Sequence, residues 1–138
     1  MKLIGRMIYP GQISGEALVS RMGISFFGGV DPESGIIMEA GHDLQGQSIA
    51  GKVLVFPSGK GSTVGSYVLY RLKKSNHAPL AIINADCETI IAVGCIIAEI
   101  PCLDRVDISQ LVTGMHLIVK ADLGLLILDS QNQVQLAH

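Results

Sequence analysis

The densest chemistry in this chain lies in ten residues, Pro57-Ser58-Gly59-Lys60-Gly61-Ser62-Thr63-Val64-Gly65-Ser66. Glycines let the backbone approach a bound group closely, and small hydroxyl residues bring donors and acceptors to the same place. Ser62 stands where a helix is expected to begin, so unpaired N–H groups should gather around it and favour an anion or a developing negative charge. Lys60, two residues earlier, adds positive potential. Ser62 acting as a proton acceptor needs that surrounding, because a neutral hydroxyl is a poor base and its alkoxide must be stabilised locally. The structural reading of the same residues is a tight turn with a serine cap, which needs no chemistry.

Other chemistries fit the residues less well. Gly61 follows Lys60 where a nucleoside-triphosphate loop requires Ser or Thr, and the spacing of Gly59, Gly61 and Gly65 differs from the dinucleotide fingerprint. His42 and Asp43 are adjacent, but neighbouring side chains often point apart, so adjacency makes no base and orienter. No Ser-His-Asp order stands out. Cys87, Cys95 and Cys102 are odd in number, sit in apolar surroundings and lack the close pairing of zinc or iron–sulfur ligands. They are expected to be free thiols, and no metal site is expected on this chain.

The loop needs rigid elements on both sides. Residues 53–56 are apolar and read as a buried strand, and residues 67–74 carry a helical pattern with Val64, Tyr67, Val68 and Leu72 along its apolar stripe. Arg71, Lys73 and Lys74 suit the C-terminal end of that helix. Residues 80–83 form the next strand, and a helix between two strands is how a parallel pair is joined. Asn84-Ala85-Asp86-Cys87-Glu88 interrupts the chain at a second strand end, where ligands gather in α/β sheets. Beyond it, residues 89–95 read as a short helix and 96–100 as a strand, although β-branched residues leave the two ambiguous.

Towards the N-terminus, residues 2–9 read as one strand, turned by Pro10-Gly11 into a second at 13–20 to make a hairpin. Gly15 marks a bulge or a close backbone approach. Residues 24–27 form a short strand ending in Gly28-Gly29, with a turn at Asp31-Pro32. Phe26 and Phe27 do not easily share a strand face, so either both pack locally in the core of a small domain, or one packs inward while the other closes the domain or meets a partner. Residues 36–39 suggest a brief strand, 106–111 a short helix or turn, and 115–121 with 125–128 a C-terminal hairpin.

Length and composition set the limits. The 138 residues suit one domain at 1–130 followed by a polar tail at 131–138. Hydrophobic residues make up 49% and charged residues 16%, a sparse charge for so small a surface, which hints at cover by another chain. The dispersed charge, with a net value of −2, argues against nucleic-acid binding. No signal segment or membrane span is apparent, so the chain is expected to be soluble and cytoplasmic. The fold class is α/β, with a mixed sheet.

Three segments together, Phe27-Gly28-Gly29-Val30-Asp31-Pro32, Val55-Phe56-Pro57-Ser58-Gly59-Lys60-Gly61-Ser62 and Ala81-Ile82-Ile83-Asn84, resemble the aconitase X swivel-domain family. The resemblance runs through nearly the whole chain. It implies a compact swivelling β/β/α domain, with a mixed sheet or barrel-like strand core and a few short helices, that closes over a large subunit in a heterodimer or higher assembly. That partner is expected to carry an iron–sulfur cluster, [4Fe-4S], with none held by this chain. The implied reaction is a hydro-lyase step on a hydroxy acid, the dehydration of (R)-5-phosphomevalonate to trans-anhydromevalonate 5-phosphate in isoprenoid synthesis.

The serine of the family's glycine-rich loop falls on Ser62, the expected proton acceptor. Gly59, Lys60, Gly61 and Thr63 are expected to bind substrate or position the loop. Gly28, Gly29 and Asp31 are expected at an interface or substrate loop. Dehydration of cis-3-hydroxy-L-proline is the alternative reaction, and a noncatalytic swivel or regulatory subunit is the alternative role.

Overall fold

A computed structural model describes residues 1–129, and the expected tail at 131–138 lies outside the described residues. Eight strands form one mixed sheet in the order β1-β8-β7-β3-β4-β5-β6-β2. They are β1 (Lys2–Ile4), β2 (Arg6–Tyr9), β3 (Gln12–Val19), β4 (Val53–Phe56), β5 (Ala81–Asn84), β6 (Cys102–Asp104), β7 (His116–Lys120) and β8 (Leu125–Leu128). β3 to β6 run parallel, while β7, β8, β1 and β2 add antiparallel pairs. Helices α2 (Gly65–Lys74) and α3 (Thr89–Ala98) connect the parallel strands, and a short kinked helical segment, α1 (Phe26–Gly29), precedes them.

Strand alternation divides the core into two layers. Leu54, Phe56 and Ile82 point into the layer with Leu69, Leu72, Ile91 and Cys95 of the helices. Val53, Val55, Ala81 and Ile83 point the other way, against Leu117, Val119 and Leu126. Burial on both faces explains why β4 and β5 are apolar throughout rather than alternating.

The N-terminal hairpin expected from the sequence does not form. The chain breaks at Gly5, so that β1 pairs with β8 and β2 with β6, while β3 pairs with β7 and β4. A side chain at Gly5 would meet the Asp104 carbonyl oxygen and Val106, so only glycine passes there. Gly15 stays in regular register with Leu117 and is a close approach, with Leu80 against it.

Residues 24–27 are not a strand: Ile24 makes one parallel bridge to Gly59, and the chain then turns into α1. Residues 36–39 make only isolated bridges. The ambiguous segment is a single helix through Ala98, and the strand beyond it is β6 rather than 96–100. Two contacts decide for helix: Glu88 accepts the Ile91 N–H as its cap, and Gly94 leaves room for Leu69 of α2. The C-terminal hairpin forms as expected, β7 against β8.

Buried Asp104 ties the margin of the sheet together. Its two oxygens accept the Nε and Nη2 donors of Arg6 at 2.9 and 2.8 Å, and Oδ2 also accepts the Cys87 N–H at 3.0 Å. Burial works to raise its pKa, but these bonds outweigh it and hold the carboxyl below its ordinary value. A depressed folded pKa contributes stability above the unfolded carboxylate pKa, and that contribution fades as pH falls through the folded value. Asp104→Asn is therefore expected to lower Tm by several degrees near neutral pH. The gap to wild type should narrow below about pH 4, measured by thermal melts across pH.

Candidate active-site loop

β4 ends at Phe56, and residues 57–64 carry the chain to α2. The loop is pinned at its start. Ile24 donates its N–H to the Ser58 carbonyl at 3.2 Å, and Lys60 donates its N–H to the Ile24 carbonyl at 3.0 Å. Pro57 accepts the N–H groups of Ala85 and Asp86, both at 3.1 Å, and the Asn84 amide donates to the Phe56 carbonyl at 3.0 Å. The carboxyl ends of β4 and β5 are thereby locked side by side beneath the loop.

Two glycines let it pass. Gly61 has φ +91°, and a Cβ there would run into the Ser25 hydroxyl. At Gly59 a Cβ would crowd Ile91 and approach the Glu88 carboxylate at 2.9 Å, disturbing the cap of α3. Gly59 and Gly61 thus position the backbone against two different elements.

Ser62 lies ahead of the helix rather than at its cap. The capping position is Val64, which makes no side-chain cap bond, while the Ser62 Oγ accepts the Val64 N–H at 3.2 Å. The Ser62 carbonyl accepts the Gly65 N–H at 3.0 Å. Gly61, Ser62 and Thr63 are exposed, and their own N–H groups donate no hydrogen bond among the described residues. Three consecutive free donors beside a serine oxygen that already accepts a fourth make a local concentration of positive potential.

Lys60 does not stand alone. Its ammonium meets the Glu39 carboxylate at 3.1 Å. Glu39 also reaches towards Gly29, whose Cβ position lies 3.6 Å from its other oxygen, and the Met38 N–H donates to the Gly29 carbonyl at 2.8 Å. Segments 24–29, 38–39 and 58–64 therefore form one cluster. Sequence reading missed Ser25 and Glu39, because their partners are 36 and 21 positions away and no local pattern marks them. Glu88 caps α3, and glutamate is not among the residues that ordinarily mark a helix start, so its place carries no sequence signal either.

The outer candidates are placed less closely. Gly28, at φ +84°, is open around its Cβ position. Asp31 builds its turn: its oxygens accept the Glu33 N–H at 3.1 Å and the Ser34 hydroxyl at 2.7 Å, which hold its carboxyl below the ordinary range. Gly28 and Asp31 line one cleft with Phe27, Met38, Val64 and Tyr67. Of the expected stripe, Val68 and Leu72 are buried and Val64 and Tyr67 are exposed, while Leu69 joins the buried face of α2. His42 is a buried structural residue: one ring nitrogen faces the Gly23 carbonyl at 3.0 Å and the other accepts the Leu44 N–H at 3.1 Å. Asp43 accepts the Ser20 hydroxyl and the Arg21 N–H.

Among the described residues no group of three or more His, Cys, Asp or Glu side chains is placed to hold a metal ion, and no helix is long and apolar enough to cross a membrane. The three cysteines are free thiols. Hydrogen bonding with Cys102 and then burial hold the Cys87 thiol far above its ordinary pKa, so it stays protonated.

The model of the aconitase X swivel domain matches residues 2–128. The chain belongs to that family. It is 61% identical over 124 residues to a protein of Thermococcus kodakarensis named phosphomevalonate dehydratase small subunit, covering 90% of this chain and 93% of the relative. A Methanosarcina acetivorans protein of the same name is 60% identical over 109 residues, covering 79% of this chain and 76% of its own length. The crystal structure of Thermococcus kodakaraensis aconitase X in its holo-form superposes with a TM-score of 0.93 at 58% identity, covering 94% of this chain and 99% of that one. The residues matched by the family model include every strand of the sheet and the site loop.

A methyl group at residue 61 tests the loop geometry. Gly61→Ala is expected to cost about 1–2 kcal/mol from its left-handed backbone alone, with the Ser25 clash added. Ser25→Ala in the same chain should restore part of the loss, as read from urea unfolding midpoints.

Proposed function

We propose that this chain is the small subunit of a phosphomevalonate dehydratase, contributing the proton-accepting side of a site it shares with a large subunit. The observation that carries this reading is the exposed Ser62 hydroxyl among the free N–H groups of residues 61–63. Names of relatives that match along nearly their whole length support the substrate. Removing the proton beside the substrate carboxylate leaves an electron pair that forms the C=C bond as the hydroxyl departs, giving the anhydro acid and water. Ser62 Oγ, as its alkoxide, takes that proton, the departing hydroxide becomes water by taking up one proton, and loss of the serine proton restores the alkoxide. The Val64 N–H on Oγ and the neighbouring free amides favour the charge-bearing form of the oxygen before the proton arrives.

Lys60 and the amides of Gly61, Ser62 and Thr63 suit an anionic group of the substrate, carboxylate or phosphate. Glu39 holds the ammonium in place until that anion competes for it. Gly59 and Gly61 keep the loop within reach by packing against α3 and Ser25. Among the described residues no group of three or more His, Cys, Asp or Glu side chains is placed to hold a metal ion, and the Cys87 thiol, hydrogen-bonded to Cys102 and half-buried, is held above its ordinary pKa. In this reading the cluster, [4Fe-4S], is held by the large subunit, where it would supply Lewis-acid assistance to the leaving hydroxyl. The assembly is a heterodimer or a multiple of one, in the cytoplasm.

Co-expression with the large subunit and anaerobic cluster reconstitution allow direct comparison of phosphomevalonate with cis-3-hydroxy-L-proline. Dehydration of phosphomevalonate in preference is expected, and activity on hydroxyproline alone overturns the substrate. Ser62→Ala should reduce turnover at least about 100-fold while the complex assembles normally. Full turnover by that complex removes Ser62 from its role and leaves a noncatalytic swivel subunit.

A further inference from the structure

The loop is bordered on one side by an apolar surface that the chain itself leaves uncovered. Phe27 is 53% exposed, Met38 60%, Val64 43% and Tyr67 65%, although Phe26, next to the first of them, is fully buried against Phe56. The reversal between the two phenylalanines is built into the backbone. Phe27 has extended geometry inside α1, and Gly28 then takes φ +84°. These four side chains line one cleft of about 270 Å³, and its wall reaches Val64, two residues from Ser62.

The margins of this cleft are polar. Arg71, which lines the cleft with Asp31, meets Glu33 at 2.6 Å, and Lys60 meets Glu39, the neighbour of Met38. A lining dominated by Phe, Tyr, Met and Val, with Asp31 and Arg71 as its charged members, has the composition of a protein–protein interface. A solvated face would place Lys and Glu at the centre instead.

We propose that this cleft is the surface on which the large subunit closes, with Phe27 as the anchor that a pocket of the large subunit receives. The inference rests on the proposed function. If Ser62 meets a substrate bound to another chain, the surface touching its loop must be covered by that chain when the two close. A second copy of this chain seated here would cover the loop side of Ser62 and exclude such closure.

Phe27→Glu, Phe27→Ala and Met38→Glu are to be titrated against the cluster-loaded large subunit by calorimetry, with thermal melts to establish folding. Ile96→Glu is the reference, since Ile96 is 51% exposed and lines no part of this cleft. The Glu variants are expected to weaken assembly at least about 30-fold and Phe27→Ala at least about 10-fold. Ile96→Glu should bind as wild type, and excess Phe27→Ala subunit should restore turnover.

Unchanged affinity in the folded Phe27 variants overturns the proposal, as does failure of the wild-type chains to associate. A raised KM with intact assembly overturns it too, by making the cleft a substrate wall. So does self-association of the isolated chain that Phe27→Glu abolishes. The Ser62→Ala complex separates the two ideas: if it turns over normally the catalytic reading fails, while the calorimetric result for Phe27 still decides the surface.

Discussion

The passage of the chain from β4 to α2 runs between two walls that leave no room for a side chain. Ser25 stands against Gly61 on one side, and Ile91 with Glu88 stands against Gly59 on the other. Between them the Ile24 main chain bonds to Ser58 and Lys60. Everything offered to a ligand follows from that confinement. The amides of residues 61–63 are exposed and donate to no acceptor among the described residues, so they are left to water or a ligand. The serine oxygen is fixed by the Val64 N–H of the same turn. A site whose donors are set in advance loses little by reorganising when charge develops on its ligand.

The location follows from the sheet. Parallel strands β4 and β5 both end beneath the loop, and the Asn84 amide and the Pro57 carbonyl lock those ends together. Successive strand-to-helix connections in a parallel sheet emerge at the same edge, which is where such folds place their ligands. The opposite edge carries the returns from α2 and α3, with Asn76 and Glu99 in left-handed backbone. The two edges thus do different work. One terminates helices, and the other begins them.

Much of this was legible in the residues. The unbroken apolar runs of β4 and β5, the helix between them and the glycine loop are local patterns, and each stands where the pattern puts it. The C-terminal hairpin is local too, with Gly124 supplying the left-handed turn. The errors share a physical origin in distant partners. Nothing within residues 2–9 says that the chain divides at Gly5, because the reason is Asp104 and Val106, about a hundred positions later. Residues 24–27 look like a strand because they are apolar, but their neighbour is one turn of loop rather than another strand. The apolar stripe of α2 was drawn one step too far round, since Val64 and Tyr67 have no core to enter. Glu39 carries no local mark at all: its meaning lies in an ammonium brought alongside by folding.

The break at Gly5 has a topological outcome. β1 and β2 are one residue apart in the chain yet stand at the two ends of the strand order, and Gly5 touches both, through the Gly124 carbonyl and the Asp104 main chain. The sheet is consequently rolled until its borders meet, and the segment 2–9 acts as the zip. Undoing that zip bares two rows of unpaired peptide groups at once, each ready to recruit a strand from another molecule. An N-terminus held down in this way guards the protein against polymerising with itself.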